Sequence, residues 1–355
     1  MPQNEAFWNP YRMVPVQDEQ PVRRNPLTHE IFQGMSGEVE AKLTTLTPLL
    51  IGVQEGSHKR HIYSNLLPII PGSSLKGMLR SLAELVGNGC DVTNGSDTKH
   101  RKCEAVDKLC ISCRMFGMQH KQNSFMGKVF CGEGKWQGEG QPKILQQQRV
   151  LLANPKDRHT AFYTTSKNVR KIYHHNPACK DGPQLDHNQQ RENMVAYLHP
   201  IAADETFIFR LDFSNLEEDE FALLLYCLTL ERNITLMANG RDHTGDLYHK
   251  LGMGKPIGMG SVKIDITKLT IQAQESTFRY RTWEGTDPKV YIGEALHKEI
   301  IGRTKALCGR RDKTMTHLRS MLLWLTNENR TFRYPEPSWF DTHSITKLKD
   351  PITGK

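Results

Sequence analysis

Residues 70–84 read IPGSSLKGMLRSLAE. Ile69 and Ile70 close an apolar run, Pro71-Gly72 breaks it, and beyond Ser73-Ser74 the residues Leu75, Met78, Leu79, Leu82 and Leu85 recur at helical spacing. The succession predicts strand, turn and helix, with the two serines as the helix cap. A helix start offers free backbone N–H groups and the positive end of the macrodipole. Here Gly72, Ser73, Ser74, Lys76 and Arg80 surround it, a chemistry suited to phosphate. The ordinary alternative is an amphipathic helix whose wet face carries Lys76 and Arg80.

On the N-terminal side, Val39, Ala41 and Leu43 alternate with Glu38, Glu40 and Lys42, which predicts a strand from Ser36 ending near Pro48 to Ile51. Gly52 to Asn65 reads as a polar loop containing Glu55, His58, Lys59, Arg60 and His61. Residues 1–35 contain Pro2, Pro10, Pro15, Pro21 and Pro26 and read as an extended arm, with Phe7, Trp8 and Tyr11 expected to pack on the body, the alternative being contact with a partner chain.

On the C-terminal side, the helix ends near Gly87 and an insert at 88–118 carries Cys90, Cys103, Cys110 and Cys113. Cys110 and Cys113 form C-x-x-C, a spacing that lets two thiolates grip one tetrahedral Zn²⁺ from a tight turn. Cys90 and Cys103 complete the set, with His100 as the substitute ligand. Lys99, Arg101 and Lys102 would favour thiolates. Such a closed site is structural, because it has no open position for a reactive water.

After the glycine-rich stretch 127–140 and a strand-like run from Arg149, residues 154–200 form a basic insert. It mixes Lys156, Arg158, Arg170, Lys171, His174 and His175 with Phe162, Tyr163 and Tyr173. Backbone neutralisation interleaved with stacking rings is the pattern of a single-strand binder. Glu205 to Phe213 alternates as a strand, a helix is expected to begin at Asn215-Leu216 and run to Arg232, and Ser261 to Ile271 alternates again. Strand, helix, insert, strand, helix, strand over residues 36–271 predicts an α+β, ferredoxin-like domain with large insertions.

Immediately before the last strand lies LGMGKPIGMG, residues 251–260. Gly252, Gly254, Gly258 and Gly260 around Lys255 would let backbone N–H groups meet phosphate oxygens. A glycine-rich hairpin with no ligand is the alternative, and no G-x-x-x-x-G-K-[ST] pattern supports a nucleotide-hydrolysing loop. Residues 272–355 read as a C-terminal extension, helical through Leu318 to Leu325 and proline-rich at Pro335 and Pro337.

The chain has 355 residues, of which 24% are charged and 37% hydrophobic, a globular composition. Its net charge of +8 leans towards a polyanionic partner. No leader-like segment and no long apolar run is present, so a soluble cytoplasmic protein with eight reduced or metal-bound cysteines is expected, and no membrane partner.

IPGSSLKGMLRSLAE at 70–84, CISCRMFG at 110–117 and LGMGKPIGMGSVKI at 251–264 together resemble the RAMP superfamily of CRISPR-associated proteins. More narrowly they look like backbone subunits of prokaryotic type III RNA-guided effector complexes. YRMVPV at 11–16, SGEV at 36–39, TPLLIG at 47–52 and RKIYHH at 170–175 extend the likeness over most of the chain. The resemblance implies an RRM-like ferredoxin fold, a palm that holds CRISPR RNA, a thumb-like hairpin that wedges into the duplex with complementary target RNA, and neighbouring RAMP subunits. Some members cut target RNA with a loop aspartate and a divalent ion such as Mg²⁺. That aspartate is missing from Gly52–Asn65. Glu55 and His58 in that loop, or Asp18 and His29 with Glu30 in the arm, are the remaining candidates for catalysis. The alternatives are a subunit that only binds, and a zinc-containing RNA-binding protein outside CRISPR.

Overall fold

The computed structural model describes residues 9–91, 99–151, 169–183, 195–238, 241–272 and 288–326. Alternation along Met35–Thr45 (β1) buries Val39, Ala41 and Leu43 completely and turns Glu38 and Glu40 outward. The chain then forms α1 (Gly72–Val86), α2 (Ile111–Phe116), β2 (Val129–Cys131), β3 (Gly134–Trp136), β4 (Thr206–Leu216), α3 (Glu218–Thr229) and β5 (Ser261–Ile271). β1 is central. β4 and β5 flank it antiparallel, and β4 in turn pairs with β2 and β3. Helices therefore follow β1 and β4, and the strands run β5, β1, β4, then β2 and β3 across the sheet. The inward residues Leu43, Phe207, Phe209, Leu211 and Ile264 share one core with Leu75 and Leu79 of α1 and Phe221 and Leu225 of α3. The protein is α+β, as the order of its elements predicts.

Several boundaries differ from the sequence reading. β1 stops at Thr45, because the following amides turn to other partners: Leu46 donates to the Ser261 carbonyl and Leu49 to that of Ile201. α1 begins at Gly72 after Pro71, and neither Ser73 nor Ser74 makes a side-chain cap bond. Both serines lie inside the first turn. Gly72 is pressed against β2, where an added Cβ would stand 2.1 Å from the Cys131 carbonyl oxygen. Asn215 does not start a helix either. It closes β4 with φ 57°, accepts from the amides of Gln33 and Gly34 at 2.8 and 2.6 Å, and donates to the carbonyls of Thr28 and Ile31. α3 starts after Glu217, whose reciprocal bonds with Glu220 form a capping box, and it ends at Thr229 rather than Arg232.

The stretch read as a polar loop is a hairpin, Gly52–Glu55 with His58–His61. It belongs to a second sheet, joined in parallel by Val195–His199 and beyond that by Gln148–Leu151. One face of this sheet, with Val150, Ala196 and Leu198, packs on Leu50 and Met259. The arm contains a strand despite its prolines: Tyr11–Pro15 pairs antiparallel with Val169–Tyr173, and Tyr11 and Val14 are buried. Phe7, Trp8, Phe162, Tyr163 and most of the basic insert lie outside the described residues.

In the C-terminal region, α4 (Gly293–Cys308) is followed by α5 (Lys313–Leu322), whose cap Asp312 accepts from the Met315 amide. Leu318 and Met321 of α5 enter the main core, and Arg319 meets Glu231 at 2.8 Å. Pro335 and Pro337 lie outside the described residues. No described helix is long and apolar enough to cross a membrane.

Candidate metal centre and nucleic-acid interface

The sulfurs of Cys90, Cys103, Cys110 and Cys113 all lie within 4.8 Å of one another, and all four side chains are buried. Local structure assembles them. Gly89 turns the chain closely past Ser112, Cys110 caps α2, and Cys113 sits in its first turn. Around the sulfurs, the Cys90 amide donates to Cys110 Sγ and the Cys110 amide to Cys103 Sγ, each at 3.3 Å. A tetrahedral zinc with bonds of about 2.3 Å holds its sulfurs about 3.8 Å apart. The Cys90–Cys113 separation of 3.4 Å is close to that spacing. Hydrogen bonds from Cys103, Cys113 and Cys90 hold the Cys110 thiol well below its ordinary pKa, whereas hydrogen bonds with Cys103 and Cys110 push Cys90 and Cys113 up. Four thiols this close cannot all ionise alone, and a dication removes that conflict. The donor set can hold a metal ion such as zinc.

His100 is not part of the cluster, since its Nε2 faces Asn88 Oδ1 at 2.8 Å. Lys99, Arg101 and Lys102 are exposed rather than set against the sulfurs. The cation at the cluster is Arg80. It donates to Cys113 Sγ at 3.6 Å and to the Gly117 carbonyl at 2.9 Å, and its Nε bonds Glu84 at 3.0 Å. Glu84 also meets Arg170 at 3.5 Å, and Arg170 holds Asp91 at 2.5 Å. Two arginines read from sequence as RNA ligands thus face inward and brace the cysteine insert. The i,i+4 spacing of Arg80 and Glu84 was the signal for this. A buried trio completes the brace: Glu220 of α3 bonds both Arg114 of α2 and Lys128, each at 2.5 Å.

At the start of α1, Ser73 and Gly77 are exposed and Ser74 and Lys76 half-buried. Lys76 Nζ stands 5.7 Å from the Phe130 ring centroid, and desolvation lowers its pKa. Gly77 has nothing within 4 Å of where a Cβ would be. The second glycine cluster differs. Gly252, Gly254, Gly258 and Gly260 have left-handed φ, and at Gly260 a Cβ would lie 2.0 Å from the Leu251 carbonyl oxygen. The amides of Gly258 and Gly260 already donate to Lys255 and Pro48. Internal packing accounts for these glycines. Inside the turn, Lys250 donates to the carbonyls of Gly258 and Met259, and burial pushes its pKa down to about 7. Lys255 is half-buried, with burial also lowering its pKa. Lys171 lies over Tyr11 at 3.8 Å and near Tyr173 at 5.1 Å, and desolvation lowers it to about 8.

The candidates for catalysis fall in different elements. Glu55 is opposite His58 in the hairpin register, and its side chain is outside the described residues. His58 stacks against Tyr197 and His199. His29 packs by Phe125 and Phe130 with Nε2 3.2 Å from the Met126 carbonyl, the exposed Asp18 accepts from Lys99 through its backbone oxygen, and the Glu30 amide donates to Thr28. Among the described residues no hydrogen bond or ion pair joins Asp18, His29 and His58. His61 is buried, accepts from the Ile51 amide and faces the Ile69 carbonyl, with burial lowering its pKa to about 4. It is a packing histidine. Sequence reasoning did not single out Tyr197; its signal was the period-two VAYLH run.

A sheet packed on two helices, with an insert whose four cysteines converge, defines an α+β protein with an insert able to hold a metal ion. A model of the RAMP superfamily matches residues 42–263, and the chain belongs to that superfamily of CRISPR-associated proteins. No curated protein matches the chain. RAMP proteins bind CRISPR RNA and act in multi-subunit complexes.

Proposed function

We propose that this protein is a guide-binding backbone subunit of a prokaryotic type III effector complex, holding CRISPR RNA by its sugar-phosphate chain. The observation that carries this reading is the open face of α1 at Ser73, Lys76 and Gly77. A glycine inside a helix costs about 1 kcal/mol against alanine. Among the described residues nothing lies within 4 Å of where a Gly77 Cβ would stand, which suits a backbone approaching from outside. The Ser73 hydroxyl and Lys76 are then the phosphate ligands, and Lys255 is their equivalent in the glycine turn. Such contacts accept any guide sequence.

The strand order β5, β1, β4, β2/β3 with helices after β1 and β4 supports a modified ferredoxin-like, RRM-like palm. The hairpin Ile234–Ala238 with Arg241–Gly245, where Met237 is 81% exposed, is suited to act as the thumb against a target-RNA duplex. The four cysteines hold structural Zn²⁺, which supplies the folding energy of a small insert and no reaction step. Binding rather than cutting is the function proposed; Asp18 and His29 lie in the arm and His58 in the hairpin opposite Glu55.

The test is to purify the protein and sequence any RNA that accompanies it. Short RNAs with a uniform 5′ sequence are expected, and their absence overturns the guide-carrier reading. Lys76→Glu should weaken unrelated RNAs about equally and reduce the salt slope by roughly one unit. A loss confined to one sequence contradicts backbone recognition.

A further inference from the structure

One face of the second sheet packs inward; on the other, among the described residues, Arg60 is exposed and Tyr197, His58 and His199 are half-buried. Val150, Ala196 and Leu198 fill the inner face. Period-two alternation therefore sends Arg149, Tyr197, His199, His58 and Arg60 to the other face. The register sets them in two rows: Arg149, Tyr197 and His58 lie abreast, and His199 lies abreast of Arg60. The rings are stacked. His58 is 5.1 Å from Tyr197 and 5.9 Å from His199 between centroids, both at 23° between planes. Arg60 is exposed, and desolvation first, then Arg60 and His58, lower the pKa of His199.

We infer that the outer face of this sheet is a stacking platform for single-stranded RNA, with Tyr197, His58 and His199 receiving a base and Arg60 a flanking phosphate. The inference rests on the reading that RNA is the ligand, and it adds a contact site distinct from the start of α1. Three near-parallel rings beside arginine match the chemistry of single-strand binding, in which stacking is tolerant of base identity. An acidic protein segment would meet the arginine but has no use for three rings, which is why RNA is the occupant chosen.

The experiment compares binding of a labelled oligoadenylate with the same oligomer carrying abasic sites. Wild-type protein should prefer the intact oligomer by about five- to a hundredfold, the range for one stacked base. Tyr197→Leu should bring the ratio near one, Tyr197→Phe should preserve it, and Arg60→Glu should weaken both oligomers. Equal wild-type affinity for the two, or a Tyr197→Leu protein with unchanged melting that keeps the full ratio, overturns the platform. Lys76→Glu separates the two sites: it should lower both affinities and keep the ratio. If it changes nothing while Tyr197→Leu removes the preference, the α1 reading fails and the platform stands.

Discussion

Gly77 is exposed on α1, one residue after Lys76, with open space around it. Alanine fits there without a clash and removes unfolded-state freedom, so Gly77→Ala should raise stability by about 0.5–1 kcal/mol. If RNA approaches the helix backbone at this point, the same methyl should weaken RNA binding. Thermal melts and binding isotherms on one preparation check both halves, and a stabilised variant with unchanged affinity would remove the functional reason for the glycine. Arg80 teaches the complementary lesson. Its charge and its place near the helix start are plain in the sequence, but its direction depends on Glu84 and on Cys113 and Gly117, which arrive from the insert. Arg170 is similar: only tertiary contact with Asp91 and Glu84 turns a basic-insert residue into an internal ion pair. A side chain's type is local information, and its partner is not.

Among elements, the cysteine insert was the most legible and the second sheet the least. C-x-x-C limits two ligands to one turn, and the buried convergence of Cys90 and Cys103 follows from the same chemistry. Cys110→Ser with Cys113→Ser should abolish bound zinc and lower the melting temperature, since only Leu109, Met118 and Phe125 pack around the sulfurs. Elemental analysis with melting curves decides this; less than about half an equivalent of zinc in wild-type protein, with no melting change in the double variant, contradicts the site. The hairpin 52–61 was read as a loop because His58, Lys59, Arg60 and His61 show no apolar alternation. Its strands form because Val195–His199 lies alongside and because Ile51 and Ile69 bond His61. The same is true of Tyr11–Pro15, whose partner strand is remote in the chain.

For the whole molecule, buried neutral histidines predict the pH response. Burial lowers His61 and His249 to about 4 and His175 well below its ordinary value. In the unfolded chain these rings titrate near 6.5. Between about pH 6.5 and 4 the unfolded state therefore binds protons that the folded state refuses, so stability is full above 6.5 and falls on acidification. The loss is about 1.4 kcal/mol per ring for each pH unit in that window. Melting at pH 7.5 and pH 5 should show the drop, and His249→Gln, which keeps a donor for the Cys227 carbonyl, should reduce it. Metal content measured at both pH values keeps thiolate protonation separate from this effect.

The sequence by itself determined what depends on neighbours along the chain: the period-two strands β1, β4 and β5, the amphipathic α1, the paired cysteines and the net charge of +8. These follow from backbone periodicity and ligand spacing, which few residues suffice to specify. Only the tertiary structure decided which cations face solvent, that the glycines of 251–260 serve their own turn, and that His58, Tyr197 and His199 form one stack. Those outcomes depend on packing between segments far apart in sequence, where burial, close approach and hydrogen-bond satisfaction are shared among residues that no local window contains.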